Sequence, residues 1–399
     1  MSEALKHIRV LDLTNVLAGP FCCHQMALMG ADVIKVETPG TGDLARQLGA
    51  DADLNGRLMG LSFLAQNAGK RSITVNLKSA KGKALFLKLV ETADAVVENF
   101  RPGVMDKLGL GFEVLRRHQP RLVYCAISGF GQDGPFKGLP AYDQIVQGMS
   151  GVMSITGDPD TAPYRVGYPI ADTIGGMTAA FALTAELCNA SRSEARFIDV
   201  SMLESVIATM GWVVSNYLNA AHTPAPMGND NFTASPSGTF RSGDGLLNIA
   251  ANKQEQFEAL CKAVGKPGLI EDSRFSTRQA RLQNRAALKA LLEDALSARS
   301  AEDWWPMLAE QGIPAGPVYG IDKILAHPQV RGRGMIGRFA QVPGVGRDVE
   351  IVRSGFKVDG RAPSVQEPPP VLGQDTDELL VQLGYTSDDI IAMKNEGVV

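Results

Sequence analysis

The sequence predicts a doubly wound α/β protein with a mostly parallel sheet and a second, smaller domain. Short apolar segments alternate with helical patterns through the first 130 residues, as βαβ units require. These segments read as near-continuous apolar runs, which is typical of strands buried on both faces. Beyond residue 221 the composition changes, which marks the start of another domain.

The expected strands follow one another at the spacing of βαβ units. They cover residues 8–13, 31–37, 72–77, 95–99 and 122–128. Helical periodicity fills the connections, for example up to about Met29 and over residues 81–91. Ligands of such sheets bind outside the carboxyl ends of the strands, so the residues that follow each strand are the candidates for a site.

The second half of the chain predicts the domain boundaries. An Ala-rich helix runs from Ala171 to about Ala190, and residues 196–200 lead into another long helix that ends near Ala221. Residues 222–245 are rich in Pro, Gly, Asn and Ser, as in a linker with turns. We therefore expect a large catalytic domain, a linker with a small α+β domain, and a C-terminal segment that returns to the large domain, over residues 1–221, 222–326 and 327–399.

Composition narrows the class of protein. The 399 residues carry a net charge of −4, which argues against a general binder of nucleic acid or anionic membranes. The start of the chain lacks the pattern of a signal peptide, and apolar runs are interrupted before they reach a membrane-spanning length. Five cysteines show no metal-ligand spacing, so we expect reduced thiols in a cytoplasmic protein without a metal site.

A literal GxGxxG motif covers residues 129–134, directly after a predicted strand. A dinucleotide-binding loop must open a helix that holds the pyrophosphate, but Pro135, Gly138 and Pro140 prevent one here. The first strand, where that fingerprint normally follows, lacks it. GxxxxGK[ST], HExxH and GxSxG motifs are also absent from the sequence. We therefore interpret residues 129–134 as a loop at a strand end.

Asp172 is the candidate nucleophile. It lies at the predicted start of the Ala-rich helix, where a helix cap is the ordinary explanation of an aspartate. Gly175 and Gly176 follow in the first turns, where glycine is costly unless another group must approach the backbone closely. The positive end of the helix dipole favours the ionised carboxylate, which nucleophilic acyl catalysis requires.

A set of motifs in fixed order connects this site with a known family. They are Leu17-Ala18-Gly19-Pro20, Gly30-Ala31-Asp32-Val33-Ile34-Lys35-Val36-Glu37, Glu98-Asn99-Phe100-Arg101-Pro102-Gly103, Ala141-Tyr142-Asp143, Ala171-Asp172 with Gly175-Gly176, and Gly312-Ile313-Pro314-Ala315-Gly316-Pro317. Over essentially the whole chain the sequence resembles the class III CoA-transferases, the formyl-CoA transferase or CaiB/BaiF family. The resemblance implies a Rossmann-like large domain and an interlocked homodimer.

The resemblance also implies a mechanism and its residues. The carboxylate matching Asp172 forms mixed anhydrides and an aspartyl-CoA thioester, and CoA is a substrate rather than a tightly bound cofactor. The implied CoA contacts are Val16, Leu17, Ala18, Lys70, Arg71, Asn99, Phe100, Arg101 and Lys107. Tyr142 matches a residue near the carboxylate, and Gly129 and Gly131 fall in an active-site loop. From the residues alone, Lys70, Arg71 and Lys107 could equally form a solvated face, and Phe100 could belong to the core.

Two departures from the formyl-CoA transferases bear on the substrate. Leu17 replaces a glutamine, and residues 227–238 lack a run of glycines. We therefore expect a larger donor, such as succinyl-CoA, with a short carboxylic or dicarboxylic acceptor; formyl-CoA or acetyl-CoA:oxalate transfer is the alternative. A second carboxylate would meet Asn229, Asn231, Thr233 and Ser235, unless these only form turns.

Two other functions stay open from the sequence. A 2-methylacyl-CoA racemase of the same superfamily needs a histidine base where this chain has Tyr142, and a phenol is a poor replacement near neutral pH. A non-catalytic CoA-binding protein would keep the binding motifs without exchanging acyl groups.

Overall fold

Six parallel strands form one sheet in the computed structural model, which describes residues 4–399. The strands are β1 (Arg9–Asp12), β2 (Asp32–Glu37), β3 (Lys70–Thr74), β4 (Ala95–Glu98), β5 (Val123–Ser128) and β6 (Arg196–Ser201). Their spatial order is β3-β2-β1-β4-β5-β6, and all neighbours pair in parallel. The order reverses between β1 and β4, so their carboxyl ends border the crevice in which such sheets bind ligands. The predicted α/β class is confirmed.

The two edge strands differ from the sequence-based expectation. Residues 196–201 form β6, although we expected them only to lead into a helix. Much of β6 is exposed, so it lacks the apolar run that identified the buried strands. At the other edge, β3 begins at Lys70, two residues before the expected start. The ammonium of Lys70 can be buried there because it pairs with Asp12 of β1.

Helices connect these strands, and two more follow the last one. They are α1 (Ala18–Leu28), α2 (Ala52–Gly56), α3 (Leu61–Asn67), α4 (Ala80–Glu91), α5 (Val104–Leu108), α6 (Phe112–His118), α7 (Asp143–Met149), α8 (Ile170–Leu187), α9 (Met202–Thr209) and α10 (Gly211–Ala220), with short 3₁₀ helices at Leu44–Gln47 and Val152–Ile155. The hydroxyls of Ser79 and Ser201 cap α4 and α9. The single helix expected up to Ala221 is two helices, because the chain departs from helical geometry at Met210.

The chain divides into two structural units. The larger comprises residues up to Val152, Arg165–His222 and Pro328–Val399; the smaller comprises Met153–Tyr164 and Thr223–His327. The membership of Met153–Tyr164 in the smaller unit was not anticipated from the sequence. In the smaller unit, helices pack on a three-stranded sheet around a separate apolar core. Its elements are β7 (Ser237–Arg241), β8 (Leu246–Ala250), α11 (Gln254–Ala263), a 3₁₀ helix (Pro267–Leu269), α12 (Arg278–Gln283), α13 (Arg285–Leu296), α14 (Ala301–Glu310), β9 (Ala315–Pro317) and α15 (Ile321–Ala326).

The C-terminal segment belongs to the larger unit. It contains α16 (Pro328–Gly332), the antiparallel pair β10 (Ile336–Phe339) and β11 (Val349–Val352), α17 (Thr376–Gln382) and α18 (Ser387–Asn395). Leu379, Leu380 and Ile390 from the last two helices join the apolar cluster of the central sheet. Within residues 4–399, the structure contains no helix with both the length and the hydropathy of a membrane span.

Charged side chains lie buried below the carboxyl ends of β1 and β2. Lys35 contacts Asp43 at 2.9 Å and Asp12 at 3.9 Å, and Lys70 contacts Asp12 at 2.8 Å. All four side chains are at most 1% exposed. Burial alone would lower the pKa of Lys35, but Asp12 and Asp43 raise it above its ordinary value. Glu37 and Arg46 form a further buried pair beside this group. The opposite charge beside each buried charge is what makes such burial tolerable.

Candidate active site

A cavity of about 360 Å³ opens in the larger unit at the point where the strand order reverses. Its walls come from the segments that follow β1, β4 and β5, together with the starts of α1 and α8. The lining residues are Asn15, Val16, Leu17, Ala18, Leu44, Asn99, Phe100, Arg101, Pro102, Ile127, Ser128, Gly129, Phe130, Lys137, Leu139, Pro140, Ala141, Tyr142, Asp172 and Met202. The cavity therefore combines a carboxylate, two cations and an apolar wall.

Asp172 lies within the first turn of α8 and does not cap the helix. The N-cap position is Pro169, which has no side-chain hydrogen bond to the helix. Burial, and secondly the nearby carboxylate of Asp143, raises the pKa of Asp172 to about 7. This rise in pKa is opposite to the fall that the helix dipole would cause. The loss of solvation of the carboxylate outweighs its attraction to the positive helix end. A group that titrates near neutrality in a cavity is a candidate for catalysis.

Asp143 performs the capping function instead, from the first turn of α7. Its Oδ1 accepts a hydrogen bond from the backbone N–H of Ala171 at 2.8 Å. Its Oδ2 accepts one from Nε2 of Gln147 at 2.7 Å, and Gln147 in turn accepts the N–H of Val166 through Oε1. Asp143 thus fixes the start of α8 while its charge acts on Asp172. The sequence placed Asp143 in a family motif but did not single it out as a site residue.

The two glycines of α8 permit close packing on both sides of the helix. A Cβ on Gly176 would lie 2.3 Å from the carbonyl oxygen of Ala18, and one on Gly175 would lie 2.8 Å from Cγ of Met202. The backbone of α1 therefore approaches α8 one turn after Asp172. This is the close approach that the glycine pair predicted, and it sets the distance between two walls of the cavity.

The segment that joins β1 to α1, residues 15–18, is held in an unusual conformation. Val16 has a φ of 67°, which is rare for a β-branched residue. Oδ1 of Asn99 accepts the N–H of Asn15 at 2.8 Å, and Nδ2 of Asn99 donates to the carbonyl of Asn15 at 2.8 Å. The side chain of Asn99 thus supports the cavity wall through the backbone, while the sequence had suggested a contact with CoA.

Residues 5–376 match the sequence profile of CoA-transferase family III. The chain belongs to this family. It is 37% identical over 386 residues to a succinate–glutarate CoA-transferase of Agrobacterium fabrum, covering 95% of each chain. It is 39% identical over 349 residues to an acetyl-CoA:oxalate CoA-transferase of Acetobacter aceti, covering 87% of this chain and 88% of the relative. A CaiB/BaiF family protein from Brucella suis superposes with a TM-score of 0.83 at 33% identity, covering 94% and 98%. The predicted CoA-transferase activity is confirmed.

The family's predicted CoA contacts fall into two groups in the structure. Val16, Leu17, Ala18, Asn99, Phe100 and Arg101 all line the cavity, as do Tyr142 and Gly129. Lys70, Arg71, Lys107 and Gly131 are not among its lining residues. Lys70 is bound internally by Asp12 and the carbonyl of Pro20, and Arg71 pairs with Asp32. Lys107 is exposed in α5. Contacts of Lys70, Arg71 and Lys107 with CoA stay predictions, and the geometry gives them no support; the place of Gly131 in an active-site loop also stays a prediction.

Lys137 is the cation in the cavity wall that the sequence reasoning missed. It lies in the loop after β5, on the same wall as Leu139 and Tyr142. Arg101 lines the cavity from the segment after β4. Both side chains are exposed, so they are accessible to a negatively charged substrate. The sequence does contain a signal that could have identified Lys137, because this residue lies in a glycine- and proline-rich loop that follows a strand end.

The loop of residues 129–134 does not open a helix, since α7 begins only at Asp143. Its shape is fixed by Ser128, which accepts the N–H of Gly131, and by Asp199, which accepts the N–H of Gln132. Among residues 4–399, no group of three or more His, Cys, Asp or Glu side chains is arranged to hold a metal ion.

Gly176→Ala tests the close packing of α8 on α1. The added methyl group cannot fit 2.3 Å from a backbone oxygen, so α8 must shift and carry Asp172 with it. We expect kcat for CoA transfer to fall by about 10²-fold, as for a displacement of about 1 Å in an active site. Steady-state kinetics with Gly56→Ala as the control checks this, because a Cβ there meets no heavy atom within 4 Å. Equal activity of the two variants would contradict the prediction.

Proposed function

We propose that this chain transfers CoA from a succinyl-CoA-like donor to a short carboxylic or dicarboxylic acid, through a thioester on Asp172. The observation that carries the proposal is the position of Asp172. It lies in the crevice of the sheet, in one cavity with residues 16–18 and 99–101, at a pKa of about 7. A desolvated carboxylate is a stronger nucleophile than a hydrated one, and it still ionises near neutral pH.

The proposed reaction proceeds in four balanced steps. The carboxylate of Asp172 attacks the thioester carbonyl of the donor, which gives a mixed anhydride and CoA thiolate. The thiolate attacks the aspartyl carbonyl, which gives aspartyl-CoA and releases the donor acid. The acceptor carboxylate attacks aspartyl-CoA, which gives a second anhydride and the thiolate again. The thiolate then attacks the acceptor carbonyl, which gives the new acyl-CoA and regenerates Asp172.

Backbone donors support the charged intermediates of these steps. Within residues 4–399, the N–H groups of Leu17 and Ala18 have no protein acceptor, and both residues line the cavity. The first N–H groups of a helix are unsatisfied and carry positive partial charge. In our proposal they bind the oxyanion that forms when Asp172 attacks, as preorganised donors do in other acyl transfers.

The two exposed cations of the cavity are our proposed contacts for the phosphates of CoA. Arg101 was expected from the sequence, and Lys137 is added here because it lines the same cavity. Phosphate groups favour such cations, especially where the guanidinium of an arginine can donate two hydrogen bonds. Phe100 lines the cavity and also packs against the central core, so it is a fixed apolar surface for the pantetheine or the adenine.

One of the relatives supports a dicarboxylate substrate. The Agrobacterium relative is named for succinate and glutarate. The Acetobacter relative is named for acetyl-CoA and oxalate, so transfer between these two remains the alternative. In the smaller unit, Asn229 and Asn231 line a second cavity of about 460 Å³. Oδ1 of Asn231 is used in a turn by the N–H and hydroxyl of Thr233. A contact of Asn229, Asn231, Thr233 or Ser235 with a second carboxylate stays a prediction from the sequence.

Replacement of the nucleophile tests the proposed chemistry. Asp172→Ala cannot form an anhydride, so we expect transfer from succinyl-CoA to glutarate to fall by at least about 10⁴-fold. Glu186→Gln removes a carboxylate from the last turn of the same helix and should retain transfer. Exchange of label between acyl-CoA and free acid, followed by mass spectrometry, measures both variants. Near-normal turnover by folded Asp172→Ala would end the proposal, and faster exchange of the wild type with acetyl-CoA and oxalate would select the alternative pair.

The pH dependence tests the electrostatics of the site. Because the pKa of Asp172 is raised to about 7, the group is protonated and unreactive below that pH. We expect kcat/KM to rise with pH through an acid limb near 7. Asp143→Asn removes the repelling charge and should move this limb to lower pH, while burial, the larger cause, keeps it above the ordinary value of an aspartate. Glu194→Gln changes the net charge by the same amount at another position and should leave the acid limb where it is. If Glu194→Gln shifted the limb as well, the effect of Asp143 would not be local.

An exposed apolar face supports the expected homodimer. The side chains of Met177, Phe181, Trp212 and Leu218 on α8 and α10 are between 50% and 76% exposed. Faces of this kind are usually covered by another protein surface. The five cysteines, all free, further support a reducing cytoplasmic compartment. We expect light scattering of the active enzyme to give the mass of two chains, and an active monomer would refute the interlocked dimer.

A further inference from the structure

Val16 is held in a backbone conformation that valine avoids. Its φ of 67° lies in the left-handed region, where the branched side chain crowds the backbone. Such conformations persist only where the surroundings impose them, and they concentrate at functional sites. Val16 lines the cavity that contains Asp172, so the structure that imposes its conformation bears directly on the site.

The restraint on Val16 comes from Asp43, in the loop before the first 3₁₀ helix. Oδ1 of Asp43 accepts the N–H of Val16 at 2.9 Å and the N–H of Ala45 at 2.9 Å. Its Oδ2 lies 2.9 Å from Nζ of Lys35. Nζ of Lys35 also donates to the carbonyl of Thr14 at 2.8 Å, two residues before the strained residue. The ion pair thus holds the backbone that enters Val16, at the carbonyl of Thr14 and at the N–H of Val16.

Neither charged residue of this pair lines the cavity. The side chain of Lys35 is 0% exposed and that of Asp43 is 1% exposed. Buried ion pairs contribute little net stability compared with apolar residues of similar size, because both charges lose their hydration. A pair of this kind beside a strained segment is better explained by the geometry that it imposes.

The strained segment transmits its position to Asp172. Val16 is followed by the first turn of α1, whose Ala18 carbonyl meets the backbone of α8 at Gly176. The free N–H groups of Leu17 and Ala18 lie in the same turn. A change at Val16 would therefore move these donors relative to the nucleophile.

We propose that Asp43, held by Lys35, is a positioning residue for CoA transfer, which fixes Val16 in the left-handed region and thereby places the first turn of α1 beside Asp172. This inference rests on the proposed role of Asp172. It does not require either residue to contact CoA or the acid.

A double-mutant cycle tests the proposal. Asp43→Asn keeps the shape but turns an amide N–H₂ toward the ammonium of Lys35, so the ion pair that holds Oδ1 against the N–H of Val16 is lost. We expect kcat per folded enzyme to fall by at least tenfold. Glycine adopts a positive φ without strain, so in a Val16→Gly background the same Asp43→Asn change should cost less than threefold. The cycle isolates the coupling between the two residues.

A matched control separates positioning from stability. Val90→Ala removes buried volume from α4, remote in sequence from both residues, and should lower Tm while kcat per folded enzyme is unchanged. If Asp43→Asn behaves like Val90→Ala, or if its cost is equal in the two Val16 backgrounds, the proposal is overturned.

A further variant covers the case in which Asp43→Asn does not fold. Val16→Pro leaves both buried charges in place, but it removes the N–H that Asp43 accepts and fixes φ near −65°, so the segment cannot keep its conformation. We expect a folded enzyme with at least a tenfold loss of kcat, and normal kcat would refute the proposal. Failure of the proposed function would give a different result from failure of the positioning role. In that case Asp172→Ala, in an otherwise wild-type enzyme, would be active.

Discussion

The buried ion pair between Lys35 and Asp43 is the interaction on which the geometry of the site depends. It lies below the crevice of the sheet and binds backbone groups of Thr14 and Val16. The same group of charges includes Asp12 and Lys70, so it joins the last residue of β1, the middle of β2 and the first residue of β3. Charged groups inside such a sheet must be paired if they are to stay buried.

The proposed nucleophile has the opposite arrangement, because no cation forms an ion pair with Asp172 within residues 4–399. Asp172 is partly buried and lies near the charge of Asp143, and burial first and this charge second raise its pKa to about 7. Asp143 itself is held by Ala171, Gln147 and, at 3.6 Å, Arg165. One carboxylate therefore provides rigidity, and the other remains reactive. The environments of the two groups, rather than their residue type, separate these roles.

Much of this arrangement could be predicted from the sequence, because its signals are local. Apolar runs identified five of the six strands, and the glycine pair after Asp172 indicated a close backbone approach. The edge strand β6 was missed because an exposed strand lacks the apolar run. Lys70 looked like a phosphate contact because the sequence does not show that Asp12 would neutralise it in the interior.

The remaining features depend on contacts between distant parts of the chain. The restraint of Val16 by Asp43 joins residues 27 positions apart, and the clamp of Asn15 by Asn99 joins residues 84 positions apart. The raised pKa of Asp172 depends on burial and on a charge from another helix. No periodicity or motif encodes contacts between residues so far apart in the chain. The sequence could therefore indicate Asp172 as a site residue but not the pKa of its carboxyl group.

The aspartyl-CoA thioester is the intermediate that most directly tests this account. The enzyme is incubated with succinyl-CoA in the absence of an acceptor acid, with a reducing agent present, and its intact mass and peptides are measured. The account predicts a CoA adduct on the peptide that contains Asp172, which is removed by hydroxylamine or by an acceptor acid. An enzyme that turns over without this adduct, or that carries CoA only on another residue, such as the exposed Cys188, would contradict it.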